Sequence, residues 1–283
     1  MIYVKKFKEL FKLFLTKEKA LLILFIFILI NISIYFVYQK SIYSQPGYFE
    51  AYPQSGLEFF YYLHCIGLNQ FHFILLMLLI PNLVSYDFLS LYQNHTSHYI
   101  EIRIGKRNYY KNVFFINIIM SFFIVLIIET LVILSIHCFY NPLQFNAFDY
   151  PEFYYRTTQI LSHHELRSLC FFVILTSAGY SLVSSLLFSL QVVISNKYIF
   201  RCFGVILGIF LVLLPAIIYY LVPISNATFL LQINNLVALG MENVRENPFY
   251  LSDWSLYGFA FMIYSFISYG AFQILLKWRK KYD

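Results

Sequence analysis

Residues 20–38, ALLILFIFILINISIYFVY, run without a charged side chain, and the stretches 59–86, 168–196 and 254–276 are likewise free of Asp, Glu, Lys and Arg. A bilayer core takes roughly 20 apolar residues in helical form, because a helix satisfies its own backbone hydrogen bonds where no water can. The segment from 112 to 138 has that length with one charge, Glu129. An uncharged run from Cys202 to Met241 supplies another, too long for one straight crossing and punctuated by Pro215 and Pro223. The expected fold is therefore all-α: a polytopic membrane protein with six transmembrane helices, at 20–38, 64–86, 112–138, 168–194, 199–222 and 254–276, forming one transmembrane domain over 1–283. Composition agrees, since 60% hydrophobic and only 12% charged residues lie outside the range of a water-soluble domain.

The basic residues set the expected orientation. With both termini in the cytoplasm, 16 of the 20 Lys and Arg residues fall inside: Lys5 to Lys19, Arg103 to Lys111, Lys197 and Arg201, and Lys277 to Lys281. Lys40, Arg156, Arg167 and Arg245 fall outside, among 8 acids. This asymmetry accounts for a net charge of +6 by topology, so no nucleic acid is implied as a partner. The lysine-rich start resembles a secretory signal, but the apolar run is long and no small-residue cleavage site follows, so it is expected to stay as an anchor in the cell membrane. The abundance of Ile, Phe, Tyr, Lys and Asn points to an AT-rich bacterial genome.

Residues 1–18 show helical periodicity. Tyr3, Phe7, Leu10, Phe11 and Phe14 share one arc, and Lys5, Lys8, Glu9 and Lys12 the opposite one. An amphipathic helix lying in the interface is expected, with Phe7, Phe11 and Phe14 in the acyl boundary and Lys5, Lys8 and Lys12 toward anionic headgroups. The loop 87–111 reads as a polar helix over 88–104, a break at Gly105 and a basic re-entry, KRNYYK, into the third span. Such a helix would present Tyr92, Gln93, His98, Glu101 and Arg103 to another protein; a plain positive-inside loop is the alternative. Of the two larger outer loops, 139–166 is aromatic and acidic, whereas 223–253 holds FLLQINNLVAL, too short to cross and too apolar to be solvated. That pattern suits an interfacial or re-entrant outer segment between helices five and six.

An amphipathic start, six spans, the run YIEIRIGKRNYYKN between spans two and three, and a half-apolar outer segment together resemble an ABC-2 type permease, the membrane subunit of an ATP-binding-cassette exporter. The resemblance covers nearly the whole chain as topology and about 25 residues as motif. It implies that residues around Asp87 to Lys111 form a coupling helix docking on an ATPase, with Glu101, Arg103, Gly105 and Arg107 the best-matching positions. The family's acidic cluster early in this loop is reduced here to Asp87. It further implies as partners an ATP-binding-cassette ATPase subunit, a second permease copy or a homologous permease, and the lipid bilayer. No G-x-x-x-x-G-K-[ST] occurs, so the chain has no ATPase site of its own and is not expected to be an enzyme. It is expected to hold no cofactor, ATP and Mg belonging to the partner. The apolar, aromatic spans suggest a hydrophobic or amphipathic substrate: a peptide or bacteriocin, a drug or a lipid-like molecule.

Within the spans, Glu129 either lines the translocation path or is a carboxyl bonded to a serine or amide of a neighbouring helix. Ser177, Ser181, Ser185 and Ser189 recur every four residues, as do Gly204 and Gly208. Such spacing serves close helix packing, or, through Ser181 and Ser185, a hydrophilic substrate path. His95 and His98 are two ligands at helical spacing without a clustered third, His163, His164 and Glu165 are adjacent in sequence, no HExxH occurs, and no metal site is expected. Cys65, Cys138, Cys170 and Cys202 have no metal spacing; a Cys138–Cys170 bridge is conceivable, small apolar packing residues the alternative. An ion-coupled secondary transporter or channel, a membrane-embedded enzyme, for which no convincing catalytic set is found, and a non-transporting immunity or sensor protein are the rival functions.

Overall fold

The computed structural model describes residues 9–43, 55–65, 70–145, 161–192, 194, 196–221, 225–240 and 251–281. These residues contain helices and no strand. In chain order the helices are α1 (Lys17–Tyr43), α2 (Gly56–Leu63), α3 (Gln70–Leu79), α4 (Ser85–Gln93), α5 (Thr96–Ile104), α6 (Lys106–Phe139), α7 (Glu165–Ser189), α8 (Lys197–Leu221), α9 (Ser225–Leu230), α10 (Asn234–Val237) and α11 (Asp253–Lys281). Among the described residues, six helical segments are long and apolar enough to cross a membrane: Lys17–Gln39, Gln70–Gln93, Lys106–Phe139, Glu165–Ser189, Lys197–Leu221 and Asp253–Trp278.

The second of these differs most from the expected 64–86. It is described from Gln70 onward, and Gly56–Leu63 form the separate helix α2, ended at His64 and capped by Ser55, whose hydroxyl accepts from the Glu58 amide at 3.3 Å. It is also bent, because a 3-10 turn over Ile80–Asn82 carries Pro81 between α3 and α4. Proline has no amide hydrogen, so the carbonyl of Met77 loses its helical donor. Gly204 of α8 comes up against that carbonyl: a Cβ there would lie 2.0 Å from Met77 O and 2.9 Å from Pro81 Cδ. Asn82 Nδ2 donates to Leu78 O at 2.8 Å and to Arg201 O at 3.1 Å, tying the bend to the start of α8.

The segment continues as α4 into the expected loop, because Phe88 and Leu89 are buried. The Phe88 ring meets Tyr109, Tyr110 and Phe188 at 5.7, 5.4 and 4.8 Å between centroids. The single helix expected over 88–104 is thus two, divided at His95, whose φ of 58° is left-handed. The break expected at Gly105 is present, with φ of 86°. The KRNYYK re-entry forms the first turns of α6.

Helix α7 sits at the centre, packed by α4, α6, α10 and α11. In its most apolar window 72% of residues are buried, against 22 to 28% in the windows of α1, α8 and α11, which leave broad apolar faces outward. Small residues make the close contacts. A Cβ on Gly179 would stand 2.2 Å from Leu236 O, and one on Gly208 3.0 to 3.2 Å from Met77 and Phe73. Past Pro215, which lies inside α8, the long uncharged run folds back as α9 and α10 against α7, α8 and α11. There Ile233, Leu236 and Val237 are buried, and Tyr264 Oη donates to Leu231 O at 2.8 Å. None of the four cysteines is in a disulfide, so the conceivable Cys138–Cys170 bridge is absent.

Candidate functional site

The buried face of α6 follows helical spacing through Val125, Ile128, Glu129, Val132 and Ile136, which carries the carboxylate of Glu129 into the interior with no residual exposure. Among the described residues its hydrogen-bond partners are two histidines rather than a serine or an amide. His64 Nε2 lies 3.1 Å from Glu129 Oε2 and His72 Nε2 lies 3.0 Å from Oε1. His64 is the C-cap residue of α2, and its ring is aimed by Nδ1, which donates to Phe60 O at 2.9 Å. His72 comes from the first turn of α3, and the two imidazoles stand 4.7 Å apart, edge to face. Phe60 and Phe172 close on His64 at 4.6 and 5.1 Å, and Tyr61 packs on Phe172 at 5.1 Å, so the polar atoms sit in an aromatic shell. One ligand-capable atom from each of His64, His72 and Glu129 lies within 4.8 Å of the other two.

Hydropathy reading passes over these histidines, because a neutral imidazole does not interrupt an apolar run. The signal available in the sequence is the pair His64 and His72 in one span and a lone acid in the next. A buried carboxylate needs partners of this kind.

The serines of α7 bond within the bundle. Ser177 and Ser189 bond carbonyls of their own helix, Ser181 Oγ donates to Ala178 O, and Ser185 Oγ bonds Leu182 O and meets Ser268 of α11. Their hydroxyls are thus satisfied within the packing of α7 and α11. The polar node of this region is off that register: Asn117 Nδ2 donates to Ser184 O at 3.0 Å and Ser184 Oγ at 2.8 Å, Ser121 donates to Ser184 at 2.8 Å, and Ser85 donates to Asn117 Oδ1 at 3.1 Å. Gln191 Nε2 completes it by donating to Ser85 O at 2.7 Å.

The residues expected to couple to a partner divide into two groups. Asp87 is engaged inside the chain by an ion pair with Lys19 at 2.6 Å, and Lys19 also donates to Phe14 O at 2.6 Å. Phe14 is fully buried and Leu10 nearly so in the protein's own core, with Phe11 packed beside them and Lys12 exposed. The Asp87–Lys19 pair therefore holds the amphipathic segment against the bundle; the expected contributions of Lys5, Phe7 and Lys8 lie outside the described residues. His98, Arg103, Gly105 and Arg107 are exposed, while Tyr92 and Glu101 are half-buried. Helix α5 buries Ser97 and rests Ile100 and Ile104 on the core, so that Tyr99 and Ile102 turn outward at 73% and 70% exposure. Neither was singled out by charge, yet they form the apolar part of this face. Compared with known proteins, the chain matches no family model, no curated protein and no solved structure.

Proposed function

We propose that the chain is the membrane-spanning permease subunit of an ATP-driven exporter for a hydrophobic or amphipathic substrate. The observation that carries this reading is α5, a short helix between the second and third candidate spans, isolated by the left-handed residues His95 and Gly105 and anchored on its inner side by Ile100 and Ile104. Its outer side offers two large apolar side chains, Tyr99 and Ile102, beside His98 and Arg103. An apolar pair rimmed by polar groups on a rigid element suits docking into a protein cleft. With both termini in the cytoplasm, as the lysine distribution supports, this face is cytoplasmic. ATP and Mg are held by the partner ATPase, and closure of two such subunits pushes α5, whose seat on α4 and α6 passes the movement into the bundle. The assembly contains two permease chains, and the outward apolar faces of α1, α8 and α11 are available to lipid and to the second copy. Lys12 and Leu13, outward on a segment that Leu10 and Phe14 hold to the bundle, face the membrane interface, and α9 and α10 form a re-entrant outer segment.

The test is copurification of the tagged full chain with a nucleotide-hydrolysing subunit. Tyr99→Asp with Ile102→Asp is expected to release the subunit while leaving the folded permease intact. Labelling of a cysteine introduced at position 99 by an impermeant reagent applied to intact cells would place this face outside and remove the reading.

A second reading is favoured by one observation. A carboxylate buried between two imidazoles is the kind of group on which ion-coupled transport depends, so uptake or efflux driven by an ion gradient without ATPase would support a secondary transporter.

A further inference from the structure

We propose that His64, His72 and Glu129 are the protein ligands of a divalent transition metal ion of the zinc class. The carbonyl of Phe60 can only accept, so Nδ1 of His64 carries the hydrogen of that 2.9 Å contact. In the neutral ring Nε2 then presents a lone pair, and it faces a carboxylate oxygen, also a lone-pair donor, at 3.1 Å. Two lone pairs facing each other in a dry interior repel, and a positive centre between them removes the conflict. A metal ion does so while using the lone pairs as bonds.

The surroundings suit that role. The Phe60 contact fixes the tautomer that leaves Nε2 free, which is the outer-shell arrangement usual for metal-binding histidines. Glu129 turns one oxygen to each imidazole, His72 Nε2 being 3.0 Å from Oε1, and all three donor groups converge within 4.8 Å. Metal bonds of about 2.0–2.2 Å to nitrogen and oxygen bring neighbouring ligand atoms to this order of separation. Two imidazoles with one carboxylate favour zinc and its first-row neighbours, whereas calcium and magnesium take oxygen ligands. The three ligands leave one positive charge and an open coordination position, which suits hydroxide or another small anion. The aromatic shell of Phe60, Tyr61 and Phe172 keeps bulk water from competing for the ion. Such an ion joins α2 and α3 to the middle of α6, and so locks that corner of the bundle.

This inference is independent of the transport proposal and is tested on the purified chain alone. The full chain is expressed with zinc or cobalt supplied, purified through a tag without histidines, and its metal measured by mass spectrometry. About one ion per chain is expected, surviving dialysis against chelator, since a buried three-ligand site exchanges slowly. His72→Ala and Glu129→Gln are expected to lower retained metal by about tenfold or more, as losing a ligand costs at least what losing an outer-shell partner does. His98→Ala, on the exposed face of α5, leaves it unchanged. Should His72→Ala fail to fold, His72→Gln keeps much of the volume, and the visible ligand-field bands of the cobalt-loaded chain read the site directly. Far less than one ion per folded chain, or equal retention in the parent and in both ligand variants, overturns the proposal. So does a nitrogen resonance spectrum showing His64 doubly protonated in the metal-supplied chain, which assigns the site to a proton-held ion pair.

Discussion

Glu129 and helix α5 are both polar interruptions of a very apolar chain, and the bundle treats them in opposite ways. Around Glu129 the protein brings two imidazoles and an aromatic shell, until the carboxylate has no exposed surface. Around α5 it does the reverse, resting Ile100 and Ile104 on the core and leaving Tyr99, Ile102, His98 and Arg103 outward. Burying a charge is costly unless it is paired, so an acid placed in an apolar helix recruits partners from other elements. Turning two large apolar side chains outward has no such internal remedy, and its use lies with something outside the chain. The first region is thus a fastening of this molecule to itself, and the second is the outward apolar face on which the proposed docking rests.

Substitutions can break or sharpen this contrast. The largest effect is expected from Glu129→Ala, which leaves two imidazoles facing an apolar void; destabilisation of about 3–5 kcal/mol is expected from unfolding titrations in mixed micelles. A loss under about 1 kcal/mol would mean that the cluster does not fasten the fold, and the contrast with α5 would fail. Next comes Gly204→Ala, whose new Cβ collides with Met77 O and Pro81; overpacking against backbone at the bend should cost about 1–3 kcal/mol in the same titration. Gly258→Ala, where a Cβ meets nothing within 4 Å, serves as its neutral control.

Asn117→Ala dissolves the node that joins α6 to α7, leaving Ser85 and Ser184 without their amide partner. About 1 kcal/mol is expected, because side-chain hydrogen bonds between membrane helices contribute modestly. If its effect equalled that of Glu129→Ala, buried polarity as such would matter and the histidine pairing would not be special. The smallest change in stability is expected at the opposite pole. Tyr99→Ala with Ile102→Ala should stay within about 0.5 kcal/mol of the parent while abolishing capture of a nucleotide-hydrolysing partner. Marked destabilisation of the purified chain by that pair would show that α5 serves the fold.

The correspondence between sequence and structure follows the range of each interaction. Apolar run length identified the six segments able to cross a membrane, and the lone glycine after a helical stretch marked the end of α5. The small-residue spacing at Gly204 and Gly208 foretold close packing, and the partner helix α3 with its proline bend explains why. Segment boundaries read less well. Phe88 and Leu89 look like loop residues beside Asp87, yet they are core, because Tyr109, Tyr110 and Phe188 come to them from other helices. The same limit applies to the serines: periodicity selected Ser181 and Ser185, whereas the node forms on Ser184, the residue that happens to face Asn117.

Backbone hydrogen bonding and water's exclusion from a bilayer act over one or two helical turns, so the helical class, the six apolar segments and the charge asymmetry were decided by the order of residues alone. Pairings between distant residues were decided only by the folded bundle. Lys19 reaches Asp87, and Glu129 meets histidines 65 and 57 positions away, because helix packing brings those side chains together in space. A buried group's chemistry belongs to its neighbours, and no window of sequence contains them.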